Sequence, residues 1–182
     1  MTENIGLLIL ACVIIAAVTV RAYRVVLRED AWLPKELSTA KLVYSEQLFT
    51  GSAEMPIVAR VDRVYQSGGL LHLVELKTRR RATVYEADVI ELSAQRAAVQ
   101  ASTGIGVGLR AFVVIENPAN GRRQVRAVRL LEEDQVAALM TRRRMIIGGL
   151  LLPQETDLQA RCASCEYRRE CKGRRARKYT RW

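Results

Sequence analysis

Two apolar runs, Pro56 to Tyr65 and Leu70 to Lys77, lie so close together in the chain that one arrangement suits them both. Ser67, Gly68 and Gly69 form the link, and glycine tolerates the positive φ angles that a tight strand-to-strand turn requires. The runs therefore read as neighbouring antiparallel strands. Leu70, Leu71, Leu73, Val74 and Leu76 make the second strand apolar on both faces, so it needs cover on both sides. That makes its two charges conspicuous. Side chains alternate along a strand, which puts Glu75 and Lys77 on one face and Leu76 on the other. A carboxylate and an ammonium in such a strand are costly unless they pair or hold a metal.

Asp62, in the first strand, adds a second carboxylate. Hydrolysis of a phosphodiester calls for carboxylates that hold a divalent metal and for a cation beside the attacking water. Asp62, Glu75 and Lys77 can supply both. The bland alternative is a solvated strand face on which Glu-x-Lys merely pairs across the sheet. It leaves the cost of placing those charges in an apolar strand unexplained.

Around this hairpin the chain divides readily. Arg28 to Lys35 is a polar connector holding Pro34, and Leu37 to Phe49 reads as a helix with Leu37, Leu42 and Leu48 at core positions and Ser38 as a cap. After the hairpin come the basic turn Thr78-Arg79-Arg80-Arg81 and a helix from Tyr85 to Ser102, ended by a stretch holding Gly104, Gly106 and Gly108. A strand from Leu109 to Ile115, a turn at Asn117 to Gly121, a strand from Gln124 to Leu130 and a helix from Glu132 to Ile147 complete the order. The pattern indicates an α/β or α+β fold with a mixed sheet flanked by helices. Asp88 and Gln95, seven residues apart, share a face of the middle helix with Leu92 and Val99. From there Gln95 can orient Lys77 or hydrogen-bond a substrate.

The N-terminus is a separate matter. Ile5 to Val20 carries no charge, and sixteen helical residues span about 24 Å, a little less than the roughly 30 Å hydrocarbon layer. Arg21 and Arg24 can snorkel while Ala22, Tyr23, Val25, Val26 and Leu27 extend the apolar surface, so a single transmembrane anchor is expected. Met1 to Asn4 lacks the basic segment of a cleaved signal peptide. Glu3 precedes the span and Arg21, Arg24 and Arg28 follow it, which places the remainder in the cytoplasm at the cell membrane. The formal charge of +10 suits a polyanionic partner. Residues 166–182 hold eight Lys or Arg against Glu166 and Glu170, a net of +6, with Tyr167, Tyr179 and Trp182 interleaved. Such a tail suits nucleic acid or an anionic lipid surface.

Cys162, Cys165 and Cys171 form a C-x2-C-x5-C cluster near the C-terminus. In a reducing compartment three thiols at this spacing point to zinc or an iron-sulfur cluster, either of which usually takes four protein ligands. His72, the sole histidine, is a candidate fourth ligand or a satisfied core residue.

With these residues in place, the chain resembles the PD-(D/E)XK nuclease superfamily. Within it, the order is most similar to the RecB-like, CRISPR-associated exonucleases of the Cas-four type. The resemblance covers about residues 37 to 172. It implies that Asp62 and Glu75 bind magnesium or manganese with help from the backbone carbonyl of Leu76, and that Lys77 activates or positions water. It matches Gln95 to the glutamine of the family's downstream helix motif, and Cys162, Cys165 and Cys171 to ligands of a 4Fe-4S cluster. This chain departs from the family in three places. Tyr44-Ser45 stands where a fourth cysteine is expected, no histidine occurs between Thr50 and Arg60, and Val99 replaces a tyrosine.

The expected organisation is a transmembrane anchor over residues 1–28, a nuclease-like domain over 29–161, and a cysteine cluster with a basic tail over 162–182. The expected activity is divalent-metal-dependent hydrolysis of DNA, of the exonuclease kind, with Asp62, Glu75, Lys77 and Gln95 in the active site and Arg79 to Arg81 on backbone phosphates. A catalytically silent module that tethers nucleic acid or a protein at the membrane is the alternative.

Overall fold

The computed structural model describes residues 14–19, 32–154, 161–162 and 165–169. Residues 14–19 are helical (α1), with the Thr19 hydroxyl donating to the carbonyls of Ile15 and Ala16. Most of the expected membrane span lies outside the described residues. Among the described residues no helix is long and apolar enough to cross a membrane. The chain forms two compact units, residues 1–137 and 138–182.

The first unit is built on a five-stranded sheet in the order β1-β2-β3-β4-β5. The strands are β1 (Lys41–Thr50), β2 (Val58–Ser67), β3 (Leu70–Thr78), β4 (Arg110–Glu116) and β5 (Arg123–Arg129). Ser67 pairs with Leu70, so Gly68 and Gly69 make a two-residue turn, with φ of 57° and 80°. Positive φ at both positions is the type I′ pattern whose twist matches a hairpin. β3 and β4 are parallel, which requires a crossover, and helix α2 (Glu86–Thr103) supplies it. The remaining neighbours are antiparallel, so the sheet is mixed and the fold is α+β.

Helix α2 lies over β1, β2 and β3. Leu92, Ala98 and Val99 on the helix share a core with Val61, Val64, Leu71, Leu73, Val113 and Ile115. The opposite face of the sheet buries Tyr65, Val74, Phe112 and Val114 under Leu37, with Trp32 and Leu33 packed alongside. β3 is thus covered on both sides, as its composition requires. Helix α3 (Glu133–Ile147) follows β5, and its Val136 is buried.

One element differs in kind from its sequence reading. Leu37 to Phe49 is not a helix: a 3-10 turn (Lys35–Leu37) is followed by strand β1. Ser38 closes that turn, its hydroxyl donating to the Lys35 carbonyl, and does not cap a helix. Leu37 is buried, but Leu42 and Leu48 are exposed, so the three leucines do not form one helical stripe. Val43, Tyr44, Phe49 and Thr50 favour the extended chain, and Tyr44 packs edge-on against Phe49 with ring centroids 5.1 Å apart. Tyr44 and Ser45 therefore lie in a strand.

The ladders around Asp62 are interrupted. Ser45 pairs with Arg63 and Gln47 with Val61, but the intervening pair, Glu46 with Asp62, is missing. Glu46 has φ of 52°, the single non-glycine residue with positive φ among the described residues. Val61 and Val64 both reach the core under α2, which strict alternation forbids, so the strand slips phase at this point. A left-handed conformation costs a residue with a Cβ about 1–2 kcal/mol. Glu46→Gly is expected to raise stability by about 1 kcal/mol, net of the glycine's entropy loss, and the melting temperature by roughly 2–4 °C. Thermal unfolding followed by circular dichroism checks this, and an unchanged or lower midpoint would count against strain at Glu46.

Candidate functional site

The gap beside Asp62 is where the charged residues meet. β2 and β3 pair from Ser67–Leu70 as far as Arg63–Val74, and the ladder stops before Asp62 and Glu75. Beyond that point side chains replace the backbone pairing. The Leu76 amide donates to Asp62 Oδ2 at 2.6 Å. Gln95, reaching down from α2, donates through Nε2 to the Arg60 carbonyl at 3.0 Å and to Glu75 Oε2 at 2.9 Å. One amide thus fills the space between the parted strands and holds the carboxylate of one of them.

Glu75 is 3% exposed, and its other oxygen, Oε1, accepts from the Lys77 ammonium at 2.6 Å. The same ammonium donates to Glu91 Oε2 on α2 at 2.8 Å. Burial pushes the Glu75 carboxyl above the ordinary carboxylate range; bonds from Lys77 and Gln95 oppose that rise, and the charges of Asp62 and Glu91 add to it. Burial also works against the charged form of Lys77, but its bonds to Glu75 and Glu91 prevail, and its pKa lies above the usual lysine value. Lys77 is therefore a cation at rest.

Asp62, Glu75, Lys77 and Gln95 all lie at this gap, linked through the Leu76 amide, the Glu75 carboxyl and the Lys77 ammonium. The role of Gln95 differs in detail, because it orients Glu75 and not the lysine. Glu91 was missed. Its signal was its spacing, three residues after Asp88 and four before Gln95, which puts all three on one helical face.

Asp88 serves the scaffold. It binds Arg79 through both oxygens at 2.6 Å and accepts from the Tyr85 amide at 2.9 Å, capping the first turn of α2. The Arg79 guanidinium also donates to the Thr83 carbonyl and stacks 4.7 Å from the Tyr85 ring centroid. The expectation that Arg79 contacts phosphate is corrected: its guanidinium is committed to fixing the start of α2. Arg80 and Arg81 remain exposed.

In the second unit Cys162 and Cys165 are free thiols, half-buried and exposed respectively. The Cys165 amide lies 3.5 Å from the Cys162 carbonyl. Cys171 lies outside the described residues. His72 sits on β3 against Gly108, where a Cβ added to the glycine would lie 3.3 Å from Nδ1. Among the described residues no three His, Cys, Asp or Glu side chains form a metal cage. The donor set at the gap is of another kind, two carboxylates beside the Leu76 backbone. These are all-oxygen ligands of the type hard divalent ions prefer.

No curated protein matches this chain. Among solved structures, SSO0001 is similar at 14% identity and a TM-score of 0.46, over 86% of this chain and 70% of that one. A candidate exonuclease from Eubacterium rectale is similar at 11% identity and a TM-score of 0.43, over 77% of this chain and 56% of that one. The chain thus spans little more than half the length of the second protein. The family model of the PD-(D/E)XK nuclease superfamily matches residues 13–172, a range that takes in the whole sheet, α2 and every residue at the gap. By that match the chain belongs to the PD-(D/E)XK nuclease superfamily.

Proposed function

We propose that this protein is a membrane-anchored, divalent-metal-dependent DNA nuclease, an exonuclease of the RecB-like, Cas-four type, held at the cytoplasmic face by the apolar segment at residues 5–20. The observation that carries the reading is Glu75, a buried carboxyl gripped by Lys77 and Gln95 at the point where Asp62 meets the Leu76 amide and the pairing of β2 with β3 stops.

Asp62, Glu75 and the backbone carbonyl of Leu76 would hold magnesium or manganese. The fit rests on donor chemistry: a carboxylate offers about four lone-pair positions, and the Glu75 carboxylate uses two of them on Lys77 and Gln95. A bound ion supplies Lewis-acid polarisation of the phosphate and makes water a better nucleophile at neutral pH. The chain's own residues do the rest. Gln95 fixes the orientation of Glu75 and compensates its burial. Lys77 places a positive charge at the mouth of the gap, where charge builds on phosphorus oxygens as water attacks. Arg80, Arg81 and the basic tail bind backbone phosphates without regard to sequence.

The test uses the full chain, purified anaerobically in detergent and incubated with single-stranded and duplex DNA. Digestion is expected with manganese or magnesium and is expected to cease when a chelator is added. DNA binding without product under all these conditions would favour the silent tether. The same preparation tests Cys162, Cys165 and Cys171 as cluster ligands: bound iron and a brown colour are expected, and a colourless, iron-free protein would remove the cluster from the proposal.

A further inference from the structure

Helix α2 contributes a second carboxylate to Lys77, and neither the sequence motif nor the proposed chemistry uses it. Glu91 Oε2 lies 2.8 Å from the ammonium, opposite Glu75 Oε1 at 2.6 Å. The two acids differ sharply in setting. The Glu75 side chain is 4% exposed and the Glu91 side chain 47%, so the lysine bridges the floor of the gap and its rim. A lysine stem is long and loses about 2 kcal/mol of rotamer freedom when fixed, so one partner on its own strand would hold it loosely. Glu91 comes from another element. It ties the ammonium to α2, whose own position is set by the Arg79–Asp88 pair and by the Gln95 bonds.

We propose that Glu91 is a positioning residue that holds the Lys77 ammonium in place over Glu75. An ammonium has three N–H donors in a tetrahedral arrangement. Two are directed at carboxylates on different elements, and the direction of the third is thereby fixed. That donor is the one able to meet a water or a phosphate oxygen. The inference rests on the nuclease reading for its consequence, but the clamp itself is a property of the folded chain.

Two measurements on the full chain in detergent test it. In the first, the protein is labelled with 15N-lysine and the Lys77 ammonium signal is assigned by its loss in Lys77→Arg; the other lysines are Lys35, Lys41, Lys172 and Lys178. Glu91→Ala is expected to broaden that signal by faster exchange with water, and Glu91→Gln, which keeps an acceptor oxygen, is expected to retain it. In the second, steady-state cleavage of DNA should show kcat about tenfold lower in Glu91→Ala, with KM within about twofold and with most of the loss restored in Glu91→Gln. A Lys77 signal as sharp in Glu91→Ala as in the parent, or a parental kcat in that variant, overturns the proposal. If the parent cuts no DNA, the nuclease reading fails by itself and the ammonium comparison alone decides the clamp.

Discussion

Lys77→Ala is expected to lower DNA hydrolysis by about 10²- to 10³-fold while leaving DNA binding nearly unchanged. The loss should fall on kcat and kcat/KM alike, because in the proposed mechanism the ammonium acts where charge develops during attack and not where the duplex or strand is gripped. Its removal also leaves Glu75 buried with Gln95 as its remaining hydrogen-bond donor, so far-ultraviolet circular dichroism of the variant is needed beside the assay. A folded Lys77→Ala protein that digests DNA at the parental rate would end the catalytic assignment. A folded and inactive one that still binds would confirm that chemistry and grip are separate, with the exposed Arg80 and Arg81 on the side of grip.

The largest effect on stability is expected at Asp88. Its side chain is 3% exposed, and it holds both Arg79 and the first turn of α2. Asp88→Ala removes the ion pair and the cap together, for a loss of about 3 kcal/mol and a melting temperature lower by roughly 6–12 °C. Asp88→Asn keeps an acceptor for the Tyr85 amide and should cost about half as much. The Arg79 guanidinium holds the Asp88 carboxyl below the usual carboxylate range. A carboxyl whose pKa is depressed on folding adds stability above its unfolded-state value, near pH ~3.9, and that stability is lost as pH falls through the folded value. Denaturant titrations should therefore separate parent from Asp88→Ala most widely near neutrality and bring them together in acid. A gap that stays constant from pH 7 to pH 3 would show that the pair contributes through packing alone.

The hairpin at the centre of the site was legible because Gly68 and Gly69 leave few alternatives and because charges in a doubly apolar strand need a reason. The helix and strands after it were equally plain, their ends marked by Gly104 and by the turn at Asn117 to Gly121. β1 was misread because Leu37, Leu42 and Leu48 suggest a helical stripe, whereas Leu42 and Leu48 face outward in an extended edge strand. The β-branched and aromatic residues among them carried the better signal. Arg79 was misassigned for a different reason. A run of three arginines reads as a phosphate contact, and nothing local reveals that the first of them folds back on Asp88, nine residues later. Glu91 shares a helical face with Asp88 and Gln95 but was passed over, because glutamate is an ordinary residue of helix surfaces and its value depends on where α2 lies over the sheet.

The interrupted ladder between β2 and β3 gives the site an unusual vulnerability. Two adjacent antiparallel strands tend to go on zipping, since each further rung satisfies another amide and carbonyl. Here the Gln95 amide reaches in from α2, taking the Arg60 carbonyl of β2 while holding the Glu75 carboxyl of β3. A shorter residue at position 95 would do more than release one carboxylate. It would also free the Arg60 carbonyl, so that the two parted strands would lose the α2 side chain that spans them.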